Sequence, residues 1–362
     1  MPVNSERPGN FFEDFQLGQV IRHATPRTMT EGDASLYVAL TGARQALHSS
    51  TTAAALLGYP ARPLDDLLVF NMAFGKTVPD ISLNAIANLG YAEVRFLAPV
   101  YAGNTLHCES VILGLKENSS RKSGVVYVRS SCYDEQERIV LTWVRWVMIN
   151  KRDPAWPAPE PLVPALGDMV TPGAQCCHAG VVSRDALDEW CEATGSVSTW
   201  EDFSAGQRID HAAGMTIEEA DHMCATRLYQ NNARVHFDAH FMRQSAAGRR
   251  LVYGGHVISV CRALAYDGLE NAICLLAINA GAHVAPTFAG DTLYAFTQVI
   301  QKWKLPGRAD MGAVRLRLVG IKNAMPGEIG ARHVGAASMA TYHPNVVLDL
   351  DCTVLMPRRA GV

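Results

Sequence analysis

The sequence predicts an α+β fold in which one structural module occurs twice, and three observations lead to this prediction. Residues 12–23 return as residues 200–211 at an offset of 188. Residues 98–106 return as residues 285–293 at an offset of 187. Each copy also contains one apolar helical stretch followed by β-rich sequence. Matches at a nearly constant offset over about a hundred residues indicate a duplication.

The elements of the first copy can be assigned in order. An apolar run predicts a helix over residues 67–74, with Gly75 as its C-cap. Long strands joined by short turns imply an antiparallel sheet, and the helix can bury its apolar face against it. Runs rich in β-branched and aromatic residues predict the strands, over residues 92–96, 105–115, 124–133 and 139–149.

The second copy repeats this order and adds a polar turn. A helix is predicted over residues 216–224, with Thr216 as N-cap and Glu219 completing a capping box. The turn over residues 226–238 follows, and Gly254-Gly255 then open an apolar helical pattern. We predict an N-terminal domain, a linker that begins in a proline-rich stretch, and a C-terminal domain, over residues 1–160, 161–199 and 200–362.

Composition excludes several classes of protein. With 362 residues, 48% of them hydrophobic and 19% charged, the chain is long enough for two cores. A formal charge of −3 without a basic stripe argues against nucleic-acid binding. Residues 1–7 have no signal-peptide pattern, and no apolar run is long enough to span a membrane. Nine scattered cysteines without a CxxC pair predict reduced thiols, no metal site and a cytoplasmic location.

The polar turn and the glycine helix start have the residue types that proton-transfer chemistry needs. A histidine such as His236 can titrate near neutral pH, and the amide of Asn231 can hold a water molecule. The helix start offers backbone N–H groups to a developing negative charge. The alternative is a polar loop with one hydrogen-bonded histidine.

This turn resembles that of the MaoC-like (R)-specific enoyl-CoA hydratase family, which reads roughly G-D-x-N-P-L-H-x-D. Val235, His236 and Asp238 fit the pattern, whereas Asn231 stands in place of the family aspartate and Arg234 in place of the proline. Within this family the chain is similar to the mesaconyl-CoA hydratase branch. The similar phrases are residues 76–84, 225–231, 234–237 and 354–359.

The resemblance implies a tandem (double) hot-dog fold, in which an antiparallel sheet wraps around a long central helix in each half. It implies a hydro-lyase that reversibly hydrates an α,β-unsaturated acyl-CoA, namely mesaconyl-CoA to β-methylmalyl-CoA. Coenzyme A is then part of the substrate, and no metal or redox cofactor is expected. A homodimer is expected from the family alone.

The catalytic residues predicted for the second copy are His236 as general acid/base, Asn231 to orient water or the imidazole, and Gly255 as oxyanion donor. Gly254 would let the backbone approach the thioester closely. Asp238 would fix the His236 tautomer or cap the backbone of the turn.

Cations are expected to bind the charged parts of the substrate. Arg234 is assigned to the free carboxylate of mesaconyl-CoA, with Arg227 as the second choice. The alternative for Arg234 is an ion pair with Asp238. Arg249 and Arg250 are assigned to the CoA phosphates, although a solvated pair of arginines fits the sequence as well.

The first copy keeps His48 at the position of His236 but has Asp66-Leu67 in place of Gly254-Gly255. A carboxylate beside the anion site predicts that this copy retains the fold without the chemistry. Two other functions stay open at this point: a hot-dog acyl-CoA thioesterase, and a non-catalytic acyl-CoA-binding protein.

Overall fold

The computed structural model of the protein describes residues 9–330 and 342–359. Residues 1–7, on which the absence of a signal peptide was predicted, lie outside the described residues. Within the described ranges the chain forms nine α-helices: α1 (Glu31–Thr41), α2 (Ala46–Ser49), α3 (Thr51–Leu56), α4 (Asp66–Ile81), α5 (Arg184–Thr194), α6 (Glu219–Leu228), α7 (Arg234–Phe237), α8 (Ala239–Met242) and α9 (Gly254–Leu264).

The same residues form eleven strands: β1 (Val20–Arg22), β2 (Arg27–Thr28), β3 (Ala85–Phe96), β4 (Thr105–Glu117), β5 (Ser123–Tyr133), β6 (Ile139–Asn150), β7 (Arg208–Thr216), β8 (Leu275–His283), β9 (Thr292–Lys304), β10 (Met311–Lys322) and β11 (Val346–Pro357). The four strands predicted for the first copy are present as β3 to β6. Each extends beyond one of its predicted ends, because cross-strand pairing continues past the β-branched run.

The strands form one antiparallel sheet that both copies share. Its order is β1-β4-β5-β6-β3-β8-β11-β10-β9-β7, and β2 pairs with β4 beside this path. The strands on either side of the centre correspond through the repeat. The two copies meet where β3 pairs with β8, with Tyr91 opposite Gly281 and Val94 opposite Ile278. The predicted α+β class and antiparallel sheet are confirmed. Backbone hydrogen bonds between β3 and β8 join the two modules.

The apolar helices α4 and α9 pack against this sheet and against each other. Both contribute side chains to one hydrophobic cluster that also contains strand residues from both copies. Asn71 of α4 contacts Gly255 and Ser259 of α9, whereas Phe74 contacts Tyr253. The two helices therefore run antiparallel, and the start of α9 lies beside the middle of α4.

The prediction that Gly75 ends the first apolar helix was wrong. Helix α4 continues through Gly75 and Pro79 to Ile81, and Ser82 is its C-cap. Pro79 lacks an N–H and so removes one helical hydrogen bond, but tertiary packing holds the helix past this position.

The predicted capping box at Thr216 was also wrong. Thr216 is the last residue of β7 and pairs with Thr292 of β9, with 2.8 Å between their hydroxyl oxygens. Helix α6 begins only at Glu219, after Glu218. The repeat-related residue Thr28 likewise ends a strand, β2, and pairs with Thr105. The cap of α1 is Thr30, which corresponds to Glu218 of the second copy. Thr216 therefore takes part in strand pairing, although the local sequence pattern predicted that it caps a helix.

The predicted linker, residues 161–199, contains helix α5, which the sequence analysis did not predict. The side chain of Ser183 caps this helix by accepting the N–H of Ala186 at 3.2 Å. Leu187 and Trp190 are buried in a cluster with residues of α3 and of the second copy. This segment is packed on the domains it connects, and the domain boundaries themselves stay a prediction.

All nine cysteines are free thiols. Among the described helices, none combines the length and the apolar character that crossing a bilayer requires.

Candidate active site

The polar turn of the second copy lies between α6 and the start of α9. Gln230 has a left-handed backbone with φ of 53°. The N–H of Asn231 donates to the carbonyl of Thr226 at 3.1 Å, and Asn231 Oδ1 accepts the N–H of Ala233 at 3.0 Å. Because an aspartate could accept the same hydrogen bond, the shape of the turn allows either residue at this position.

Residues of the first copy hold this turn in place. Arg27 Nη1 donates to the carbonyl of Leu228 at 2.8 Å, and the ammonium of the buried Lys76 donates to the side-chain oxygen of Gln230. A Cβ atom at Gly75 would overlap the carbonyl oxygen of Tyr229. The glycine inside α4 is therefore explained by the close approach of the turn, and the N-terminal half positions the predicted catalytic loop.

His236 lies on the short helix α7 and has one nitrogen committed to the backbone. Its Nδ1 lies 3.1 Å from the carbonyl oxygen of Leu251, which requires a proton on Nδ1. In the neutral ring, Nε2 is then an acceptor. The ring packs edge-on against Tyr253, the residue before α9, with 5.5 Å between ring centroids.

The His236 ring is neutral at pH 7. Burial lowers its pKa to about 4, and this outweighs the opposite effect of the hydrogen bond to Leu251. His222 nearby adds a smaller effect that also lowers the pKa. A neutral imidazole with a free Nε2 lone pair can accept a proton from water.

A second histidine, His283, faces the same helix start and was missed by the sequence analysis. Burial lowers its pKa to about 4, and the next cause is nearby His236. The Tyr91 hydroxyl lies 3.3 Å from His283 Nε2, and a Cβ at Gly254 would overlap that nitrogen. The internal repeat could have revealed His283. At the offset of 187 this histidine corresponds to Phe96, so a titratable residue in the second copy replaces an apolar one in the first.

Gly254 and Gly255 are the first two residues of α9, so their N–H groups have no acceptor within the helix. The helix dipole adds positive potential at this end. Asn71 of α4 donates to the carbonyl of Gly255 at 3.2 Å and to Ser259 Oγ at 3.0 Å. A Cβ at Gly255 would overlap Asn71 Oδ1, so this glycine allows the two helices to pack closely.

Asp238 caps the backbone and does not fix the imidazole. Its carboxylate accepts the N–H of Phe241 at 2.9 Å and begins α8. Because Leu251 already accepts the Nδ1 proton of His236, the tautomer is set by a carbonyl group. Of the two roles considered for Asp238, the structure has the backbone cap.

The four arginines predicted to bind substrate lie on the surface around the turn. Arg227 on α6 is exposed, and exposed Arg234 lies over the ring of Phe241, 5.6 Å from its centroid. Exposed Arg249 lies 4.0 Å over the ring of Phe288. Arg250 is half-buried and is paired with Glu219 and with the carbonyl of Phe237. Three of the four thus present a guanidinium to solvent.

The first copy contains the same histidine arrangement with a carboxylate added. His48 Nδ1 lies 3.3 Å from the carbonyl of Pro63, which is related to the His236–Leu251 contact by the offset of 188. His48 Nε2 lies 3.5 Å from the carboxylate of Asp66, which also accepts the N–H of Leu275 at 2.8 Å. A cavity of about 40 Å³ lies beside them. The nitrogen that is free in the second copy therefore faces a carboxylate in the first.

Similarity to known proteins agrees with this geometry. The sequence profile described as mesaconyl-CoA hydratase matches residues 3–158. The chain is 53% identical to beta-methylmalyl-CoA dehydratase of Chloroflexus aurantiacus over 352 residues, which cover 97% of this chain and 98% of that protein. The chain belongs to the mesaconyl-CoA hydratase family. It is also 49% identical, over the same length and coverage, to mesaconyl-CoA hydratase of Cereibacter sphaeroides.

Solved structures similar to this family member support the fold. A crystal structure of a MaoC domain protein from Chloroflexus aurantiacus has a TM-score of 0.94 and 52% identity, and the match covers 98% of this chain and 99% of that chain. A Mycobacterium tuberculosis protein described as a double hot-dog has a TM-score of 0.75 and 26% identity over 96% and 98% of the two chains. The predicted tandem hot-dog fold is confirmed.

Gly75→Ala should destabilise the protein, because the new Cβ would overlap the carbonyl of Tyr229. We expect a loss of about 1–3 kcal/mol in the free energy of unfolding, measured by urea denaturation. The matched control is Gly173→Ala, where a Cβ meets open space and a change within about 0.5 kcal/mol is expected. Equal stabilities of the two variants would contradict the close contact between α4 and the turn.

The two neutral histidines predict how stability depends on pH. The pKa values of His236 and His283 are about 4 in the folded protein and 6.5 ordinarily. Between these values the unfolded chain binds more protons, so stability should fall as the pH drops from 6.5 towards 4. His283→Phe, which introduces the residue of the first copy, should flatten this dependence in thermal unfolding. Identical slopes of stability against pH for the wild type and the variant would show that His283 does not contribute to this dependence.

Proposed function

We propose that this protein catalyses the reversible hydration of mesaconyl-CoA to β-methylmalyl-CoA, as a hydro-lyase. The observation that supports this most directly is the neutral imidazole of His236 beside the two free N–H groups that open α9. The substrate is inferred from two relatives of nearly the same length, whose names state mesaconyl-CoA and β-methylmalyl-CoA.

Hydration of an unsaturated thioester needs a base for water, a site for the thioester oxygen and a proton for the α-carbon. In our proposal, His236 Nε2 accepts a proton from a water molecule that the amide of Asn231 helps to hold. The water oxygen bonds to the β-carbon, and the π electrons move onto the thioester oxygen. The N–H of Gly255 stabilises that oxygen, and His236 then returns the proton to the α-carbon.

Asn231 cannot ionise, so His236 performs both proton transfers in this scheme. Gly254 allows the thioester to approach the helix start, since no side chain stands between the backbone and His283. The exposed guanidinium groups of Arg234 and Arg227 are the candidates from sequence for the free carboxylate, and we assign that of Arg249 to the CoA phosphates. Arg250 and Asp238 shape the loop around them.

In this proposal the first copy supports the fold and the loop but does not carry out the reaction. Its equivalent helix start has Asp66 in place of a glycine, and the carboxylate lies beside His48. A negative charge at that position opposes the enolate that hydration must form. The homodimer, the cytoplasmic location and the absence of a cofactor stay part of the proposal, on the basis of the family resemblance and of the cysteine pattern.

The test of this function is an assay on mesaconyl-CoA with two simultaneous readouts. Loss of the enoyl-thioester absorbance without release of free thiol supports hydration. Release of free CoA at the same rate would identify a thioesterase, and binding without either change would identify a non-catalytic acyl-CoA-binding protein.

Two matched variants test the assignment of the working half. His236→Gln should lower kcat by about 10² or more, the usual scale for the loss of a general acid/base. His48→Gln should leave kcat within a few-fold of the wild type, because its Nε2 already faces Asp66. Circular dichroism should verify that both variants are folded. The reverse order of effects would place catalysis in the first copy.

A further inference from the structure

Arg145, on strand β6, is fully buried and lacks a carboxylate partner among the described residues. Its Nη2 donates to Thr77 Oγ1 at 2.9 Å and its Nη1 to Ser82 Oγ at 3.3 Å. The guanidinium carbon lies 4.2 Å over the ring of Phe74, and Nε has no hydrogen-bond partner in the part of the chain that the structure describes. Removing a charged guanidinium from water without a counter-ion costs free energy. An anionic ligand would therefore bind favourably at this position.

The packing of α4 against α9 places this guanidinium in front of the first turn of α9. Along α4, Asn71 lies beside Ser259 and Phe74 beside Tyr253. Thr77, which holds Arg145, comes about one turn further along α4, beyond the point where α9 begins. Arg145 therefore lies on the side of the helix start where the N–H groups point.

Polar side chains connect this position to the histidines of the site. Arg145 pairs across the sheet with Tyr91 of β3, and the hydroxyl of Tyr91 reaches His283 Nε2 at 3.3 Å. The hydroxyl of Tyr253 is buried and has no hydrogen-bond partner within residues 9–330 and 342–359. Burial raises the pKa of Tyr253, whereas the charge of nearby Arg145 acts in the opposite direction. A carboxylate here could accept from both Tyr253 and Arg145 Nε.

The first copy has a carboxylate of its own at the equivalent helix start. Asp66 stands at the repeat position of Gly254, at the start of α4 and beside His48. The second copy has a glycine there, which leaves its helix start open to the thioester.

We infer that Arg145 is the residue that binds the free carboxylate of the substrate and thereby sets specificity for a dicarboxylic acyl-CoA. This inference rests on the proposed function. In mesaconyl-CoA the second carboxylate is attached to the β-carbon, where crotonyl-CoA has a methyl group. The β-carbon, which water attacks, is thus bonded directly to the carboxylate that Arg145 binds.

Arg234, the candidate from sequence, is less suited to this role. It is exposed, and solvent weakens its attraction for a carboxylate. Burial of Arg145 lowers its pKa only to about 10, so the guanidinium stays charged at pH 7. A buried, charged fork of donors gives the stronger discrimination between a carboxylate and a methyl group.

The experiment compares kcat/KM for mesaconyl-CoA and crotonyl-CoA in the wild type and in Arg145→Met, with Arg95→Met as a control. Arg95 is a partly exposed arginine of the neighbouring strand β3. Arg145→Met should lower kcat/KM for mesaconyl-CoA about 10- to 100-fold more than for crotonyl-CoA. Arg95→Met should leave the ratio unchanged. An equal fall on both substrates, or a selective fall in Arg234→Met alone, would overturn the inference.

Binding of two substrate analogues that cannot be hydrated gives an independent readout. Succinyl-CoA has the terminal carboxylate and butyryl-CoA a methyl group in its place. The wild type should be inhibited more strongly by succinyl-CoA, and Arg145→Met should lose this preference. If Arg145→Met does not fold, Arg145→Lys and Tyr253→Phe should each reduce the preference by several-fold, and an unchanged preference in both overturns the inference.

The two proposals fail in different ways. A wild-type protein that does not hydrate mesaconyl-CoA overturns the proposed function together with this inference. A wild type that hydrates mesaconyl-CoA, with an Arg145→Met variant of unchanged substrate ratio, overturns only the role of Arg145.

Discussion

The close contact between helix α4 of the first copy and the start of the second copy's site is the constraint on which this structure depends. Gly75 allows the carbonyl of Tyr229 to approach the helix, and Asn71 binds the first turn of α9. Both contacts need a residue without a Cβ, at Gly75 and at Gly255. The predicted catalytic loop therefore depends for its shape on contacts with the first copy.

Burial has opposite consequences for the ionisable groups in this region. It makes His236 and His283 neutral, which prepares an imidazole to accept a proton. It does not discharge Arg145, because the intrinsic pKa of a guanidinium is far above neutral pH. A neutral base and a desolvated cation near one helix start form an environment suited to an unsaturated acyl thioester that carries a carboxylate.

The two halves agree in fold because of the duplication, and they differ in the groups at their helix starts. Each copy has a histidine whose Nδ1 faces a backbone carbonyl, through Pro63 in the first copy and Leu251 in the second. One difference at the helix start, Asp66 against Gly254, fills the place beside Nε2 in the first copy. Arg27 and Lys76 of the first copy then hold the polar turn of the second copy in place.

The sequence by itself determined the repeat, the four long strands of the first copy and the glycine helix start, and it singled out His236, because these depend on local pattern or on motif. Tertiary structure alone decided that Thr216 pairs in a strand and that Gly75 lies inside a helix. It also brought His283 and Arg145 to the site from strands β8 and β6. Such residues escape sequence reasoning because their role is set by partners far away in the chain, and an isolated histidine or arginine in a strand has no local pattern that reveals them.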